Sequence, residues 1–197
     1  RAGRPGRLLR RATGTDTCRL TMTARHLLKV QTPALRWPRK GETPDLWFGA
    51  HNFVAVTDDC GHILLELHGI ARGPGGAALK IYGGVLPFRR EVIWGEAFDH
   101  PTGFYERHFP QAELTPDPGT SIEACLQRAE AVRQAVNARE MAYPWPAAFG
   151  ANSNAYFATL IAGMGLADVS VPGQLWAPSS DRLLLDEAAL NAIRSSA

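Results

Sequence analysis

Three residues of the kinds that together activate a hydroxyl are spread over about a hundred positions: His51, His68 and Ser153. A serine hydroxyl is a poor nucleophile until a base takes its proton, and an imidazole does this best when a third polar group fixes its tautomer. Ser153 sits in Asn152-Ser153-Asn154, where the proline-spaced, glycine-tipped loop YPWPAAFG meets an apolar run. One side-chain oxygen is enough to cap a helix, so this run carries more polar groups than a cap requires. A helix start also offers backbone amides and a positive dipole end, both of which favour an oxyanion. The residues therefore suggest Ser153 as nucleophile, His51 as base and His68 as the orienting group. Glu66 competes for the orienting role, and Asn152 or Asn154 caps the helix or helps hold an oxyanion. The plain alternative is structural: strand histidines with local hydrogen bonds, and a well-capped buried helix.

The elements must bring these residues together. In HNFVAVTDDCGHILLELHG, residues 51 to 69, two β-type runs flank Asp-Asp-Cys-Gly, the pattern of a hairpin. A two-residue turn at Asp59 and Cys60 would set His51 opposite His68 and Phe53 opposite Glu66. One face then carries His51, Glu66 and His68, and the other carries Val54, Val56, Ile63, Leu65 and Leu67 toward the core. A register slip of two residues keeps these faces; a slip of one destroys them.

ALKIYGG and EVIWGEAF read as further strands, and the stretch from 101 to 120 reads as loop. TSIEACLQRAEAVRQAVNARE reads as a helix capped by Thr120 or Ser121, with Glu123 close to the capping-box position. Its apolar stripe is Ile122, Cys125, Ala129, Val132 and Val136, which makes Cys125 a core thiol. A second helix is predicted from about Asn154 to Met164, stopped by Gly163 and Gly165, with Tyr156, Phe157, Leu160, Ile161 and Met164 buried. Ser153, one turn before Phe157, extends that stripe toward the sheet. The final segment predicts an extended stretch and a terminal helix capped near Ser180 or Asp181. Residues 13 to 40 are cut by Pro33 and Pro38 and show no clear element.

Composition narrows the class. The chain has 197 residues, 45% of them hydrophobic and 20% charged, enough for one domain with a full core. The net charge of +2 conceals Arg1, Arg4, Arg7, Arg10 and Arg11; the remainder carries 16 basic against 19 acidic residues. Residues 1 to 14 thus read as a flexible basic arm and 15 to 197 as a single α+β domain. No basic stripe follows the arm, so no nucleic-acid partner is expected. No secretory signal or membrane span is visible. A start at Arg1 makes a fragment or processed product the expectation. Cys18, Cys60 and Cys125 are odd in number and form no CxxC pair, so neither a complete disulfide framework nor a zinc site is expected.

HNFVAV, ELHG and PAAFGANSNAYF together resemble the permuted branch of the papain-like superfamily, which includes lecithin retinol acyltransferase-like enzymes and is related to bacterial cell-wall endopeptidases. The resemblance covers roughly residues 50 to 165, with the histidine preceding the nucleophile. It implies an antiparallel sheet packed on a buried helix that carries the nucleophile at its N-terminus. The family's nucleophile falls on Ser153, its base on His51 and its third polar residue on His68. The departure is serine where that superfamily usually has cysteine, which implies a serine hydrolase, a site that only binds, or a Cys-to-Ser variant.

The expected function is an acyl hydrolase needing no cofactor or metal. Phospholipid acyl esters come first as substrates and peptidoglycan peptide or amide bonds second. The expected setting is a toxin-like domain of a larger bacterial secreted protein, acting at the cell envelope and met by an inhibitor (immunity) protein. Two other classes compete. One is a metal-dependent hydrolase using His51, His62, His68 and Asp58 or Asp59, for which no HExxH-type motif speaks. The other is a noncatalytic binding module using Trp37, Trp47 and Trp145, although Trp37, Trp47, Trp94, Trp145 and Trp176 are the kind of residue that usually packs a core.

Overall fold

In the computed structural model, residues 24–37, 46–77, 91–144 and 150–196 are described, apart from the side chains of 35–37 and 46–48. The basic arm, ALKIYGG, Trp145 and most of the loop before Ser153 lie outside these residues. The elements in chain order are β1 (Arg25–Trp37), β2 (Leu46–Asp58), β3 (Ile63–Arg72), β4 (Val92–Phe98), β5 (Gln111–Glu113), α1 (Ile122–Asn137), α2 (Ser153–Met164) and α3 (Glu187–Ser195). The five strands form one antiparallel sheet in the order β4-β3-β2-β1-β5. The chain is α+β, as its pattern implies.

The β2–β3 hairpin differs from expectation in its turn and its register. Asp58 Oδ1 accepts from the amides of Cys60 and His62, and Gly61, at φ 73°, donates to Asp58 O, so four residues rather than two make the turn. Pairing is Val54 with Leu67 and Ala55 with Glu66, a slip of two residues that leaves both faces intact. A bulge between Val56 and Thr57 then shifts the ladder by one. Ile63 consequently crosses to the face opposite the one expected for it, against Phe53 and Ala55.

The main core lies between the sheet and the helices. Leu27, Val54, Val56, Leu67 and Ile93 from the strands meet Cys125, Val132 and Val136 of α1 and Tyr156, Phe157, Leu160 and Met164 of α2. Cys125 is fully buried there, as its place on the stripe predicts. Helix α2 is apolar on every side and buried along its length, because the sheet, α1 and α3 all pack against it. Two glycines make room for it. Gly69 and Gly95 are paired neighbours on β3 and β4, and a Cβ on either would come within 2.5 Å of the Tyr156 side chain. Gly163 performs the same service against Val132 of α1.

Other boundaries moved. Strand β1 occupies much of the stretch that showed no element, with Pro33 inside it, and β5 lies within the segment read as loop. Helix α1 is capped by Ser121, whose Oγ accepts from Ala124 N. Helix α3 starts later than expected: Asp186, not Ser180 or Asp181, supplies the cap by accepting from Ala189 N, while Leu184 and Leu185 are already buried ahead of it. On the far face of the sheet, the segment from 99 to 110 covers Val30, Phe53 and Ala55 with Tyr105 and Phe109.

Candidate active site

The alternation of β2 and β3 sends His51, Phe53, Glu66 and His68 to this second face. His68 and Glu66 are fully buried; His51 is half-buried. His51 Nε2 lies 3.0 Å from His68 Nδ1, and His68 Nε2 lies 2.8 Å from Glu66 Oε2. Glu66 is held in turn by Thr102, whose amide donates to Oε1 at 3.2 Å and whose hydroxyl donates to Oε2. The result is a continuous line of polar groups, Thr102 to Glu66 to His68 to His51, two of whose members are enclosed by protein.

Aromatic rings fix the plane of this line. The Phe53 ring stacks on His68 with centroids 4.2 Å apart, and the two imidazoles are nearly parallel at 5.3 Å. Phe104 lies 5.3 Å from His68 and 5.9 Å from His51, yet its side of the molecule is open, at 47% exposure. Phe104 N donates to Thr102 Oγ1, so the residue that anchors Glu66 also sets this ring over the histidines.

Burial lowers the His51 pKa to about 3, with the neighbouring His68 acting in the same direction. Its imidazole is therefore neutral near pH 7 and able to accept a proton. Burial pushes the Glu66 carboxyl up, but the hydrogen bonds from His68 and Thr102 outweigh it and hold the pKa below its ordinary value. A buried acceptor-only carboxylate at the end of the line is the consequence.

Ser153 is the first residue of α2 and is half-buried. The two asparagines beside it have separate tasks. Asn152 is the cap: its Oδ1 accepts from Asn154 N at 2.8 Å and Ala155 N at 3.4 Å. Asn154 is a clamp on β2. Its Oδ1 accepts from Asn52 N at 2.9 Å and its Nδ2 donates to Ala50 O at 2.8 Å, so the amide bonds to the backbone on both sides of His51. A side chain here takes the two ladder bonds that a neighbouring strand would make. Asn154 Nδ2 also reaches Pro178 O at 3.2 Å, and Ala50 N donates to Trp176 O at 2.8 Å, closing the segment from 175 to 179 around the same point.

The helix start that carries Ser153 is thus fastened to the strand that carries His51. No hydrogen bond joins Ser153 itself to His51, and among the described residues neither the Ser153 hydroxyl nor its amide has a partner. Sequence reasoning missed Thr102 and Phe104, which lie in a segment whose only signal is its loop composition. It also missed the clamping role of Asn154, although the surplus of polar groups around Ser153 was its trace.

The histidines of the metal-site reading do not converge. His62 pairs with Asp58 Oδ2 at 2.9 Å at the hairpin tip, whereas His51 and His68 belong to the line ending in Glu66. Ligand atoms of Asp58, Cys60 and His62 lie within 4.8 Å of one another, but Cys60 is disulfide-bonded and offers no thiolate. Of the tryptophans, Trp176 is 65% exposed rather than packed. Comparisons with protein-family models, with curated proteins and with solved structures return no match.

Proposed function

We propose that the domain is an acyl hydrolase working through an acyl-Ser153 intermediate, on a permuted papain-like arrangement of strands and helix. The observation that carries this reading is the line Glu66–His68–His51, ending on the strand to which the Ser153 helix start is clamped. His51 takes the Ser153 proton as Oγ attacks the acyl carbonyl carbon. The tetrahedral oxyanion is met by the uncommitted Ser153 amide at the positive end of α2. His51 then returns the proton to the departing alkoxide, leaving an ester on Ser153. Water, activated by the same imidazole, releases the carboxylic acid and restores the hydroxyl.

Phospholipid acyl esters remain the favoured substrates. An alkoxide leaves more readily than an amide nitrogen, which suits a serine nucleophile, and the exposed Phe104 beside the imidazoles is an apolar wall fit for an acyl chain. A toxin-like role within a larger bacterial secreted protein, countered by an inhibitor protein, belongs to the same proposal. The test is a fluorophosphonate probe with mass analysis of wild type, Ser153→Ala and His51→Ala, followed by phospholipid vesicles and purified peptidoglycan. Labelling of Ser153 that depends on His51, with lysolipid and fatty acid released by wild type alone, is expected. Cleavage of peptidoglycan instead moves the substrate to the cell wall. A serine that takes no probe, together with a biological effect lost in Trp176→Ala but kept in Ser153→Ala, replaces the enzyme with a binding module.

A further inference from the structure

We infer that Glu66 is a positioning residue that sets the tautomer of both histidines, so that the unprotonated nitrogen of His51 is Nδ1, the atom left to act as base toward Ser153; this rests on the acyl-enzyme reading above. The geometry allows little else. An ionised carboxylate only accepts hydrogen bonds, so the nitrogen 2.8 Å from Glu66 Oε2 must carry the proton: His68 is protonated at Nε2. In a neutral ring the other nitrogen is then an acceptor. His68 Nδ1 can therefore meet His51 Nε2, 3.0 Å away, only if that nitrogen is the donor. His51, neutral and protonated at Nε2, is left with Nδ1 as its basic atom. One buried charge thus fixes the proton positions of two rings, and His51 does not touch it.

Thr102 gives the inference its sharpest test, because its backbone amide always donates. It points at Glu66 Oε1. In Glu66→Gln that amide draws the carboxamide oxygen to the Oε1 position and turns the NH2 group toward His68. His68 Nε2 must now accept, so its proton moves to Nδ1. His51 Nε2 must accept in turn, and the His51 proton moves to Nδ1, the atom that would have received the serine proton. The two rings keep their places while both tautomers invert. A carboxylate that served packing alone would leave the proton positions unchanged.

The experiment is imidazole 15N NMR at neutral pH on wild type and Glu66→Gln, paired with turnover of p-nitrophenyl butyrate by both and by Ser153→Ala. Wild type is expected to show both rings protonated at Nε2. The variant is expected to show both protonated at Nδ1, with kcat lower by about 10³–10⁴-fold and KM little changed, as when a triad imidazole is held in the wrong tautomer. A wild-type His51 protonated at Nδ1, a doubly protonated His68, or tautomers that do not change in the variant overturns the inference. The wild-type spectrum decides even if the variant fails to fold. Tautomers that invert while Ser153→Ala keeps wild-type turnover leave Glu66 in its role and remove the acyl-enzyme reading instead.

Discussion

His51 is an imidazole kept neutral by its surroundings, and this has a measurable consequence for stability. Its folded pKa of about 3 lies below the ordinary value of 6.5, chiefly because of burial, with the neighbouring His68 acting in the same direction. Between these values the unfolded chain binds a proton that the folded chain refuses, so stability attributable to His51 is intact above pH 6.5 and drains away as pH falls toward 3. Urea unfolding of wild type and His51→Asn across this range should give a shallower acid decline for the variant. Glu66, whose pKa is also depressed, is present in both proteins and is bonded to His68 and Thr102 rather than to His51. Equal slopes would mean that His51 is not desolvated. The same neutrality predicts that the acid limb of kcat/KM falls well below pH 6.5 rather than near it.

At the scale of elements, Asn154 is the joint on which the site depends. Asn154→Ala leaves Ala50 O and Asn52 N without partners in a buried position, a loss of about 2–4 kcal/mol. Labelling of Ser153 should fall even at temperatures where the variant remains folded, whereas Asn152→Ala, which removes the helix cap, should cost about 1 kcal/mol and leave the labelling in place. Unfolding midpoints and probe labelling on both variants check this; equal effects of the two would argue against a clamp. The hairpin faces and α2 were legible in the sequence because a period of two survives a slip of two, and because a helix buried on every side needs a long apolar run. Strand β1 was not, since its pattern is broken by two residues with nonlocal reasons. Lys29 is buried on the helix face because Asp168 Oδ1, at 2.6 Å, and Val169 O receive its ammonium group. Pro33 lies beyond the three positions where β5 pairs with β1, at an edge that needs no amide from it. Nothing near either residue announces a partner so far along the chain. The line from His51 to Glu66 was half legible: its face followed from alternation, while its order had to await the register.

Seen whole, the molecule closes the β4 edge of its sheet as carefully as it builds the site. On the outer side of β4, Tyr143 N donates to Glu91 O, Ile93 N donates to Met141 O, and the Asn137 amide both accepts from Gly95 N at 2.7 Å and donates to Gly95 O at 3.0 Å. Three successive outward positions are thereby occupied by the chain itself. Asn137→Ala should reopen the last of them, and light scattering during gentle heating should detect association at a lower temperature than for wild type; an unchanged onset would show that the clamp does not guard the edge. The consequence reaches any protein that must silence this domain. Strand addition, a common way for one chain to seize another, finds these rungs already taken. An inhibitor approaching from β4 would instead work by side-chain recognition, with the exposed Phe104 ring beside His51 as its apolar contact, and its own surface should therefore present a protruding apolar plug rather than an extended ribbon.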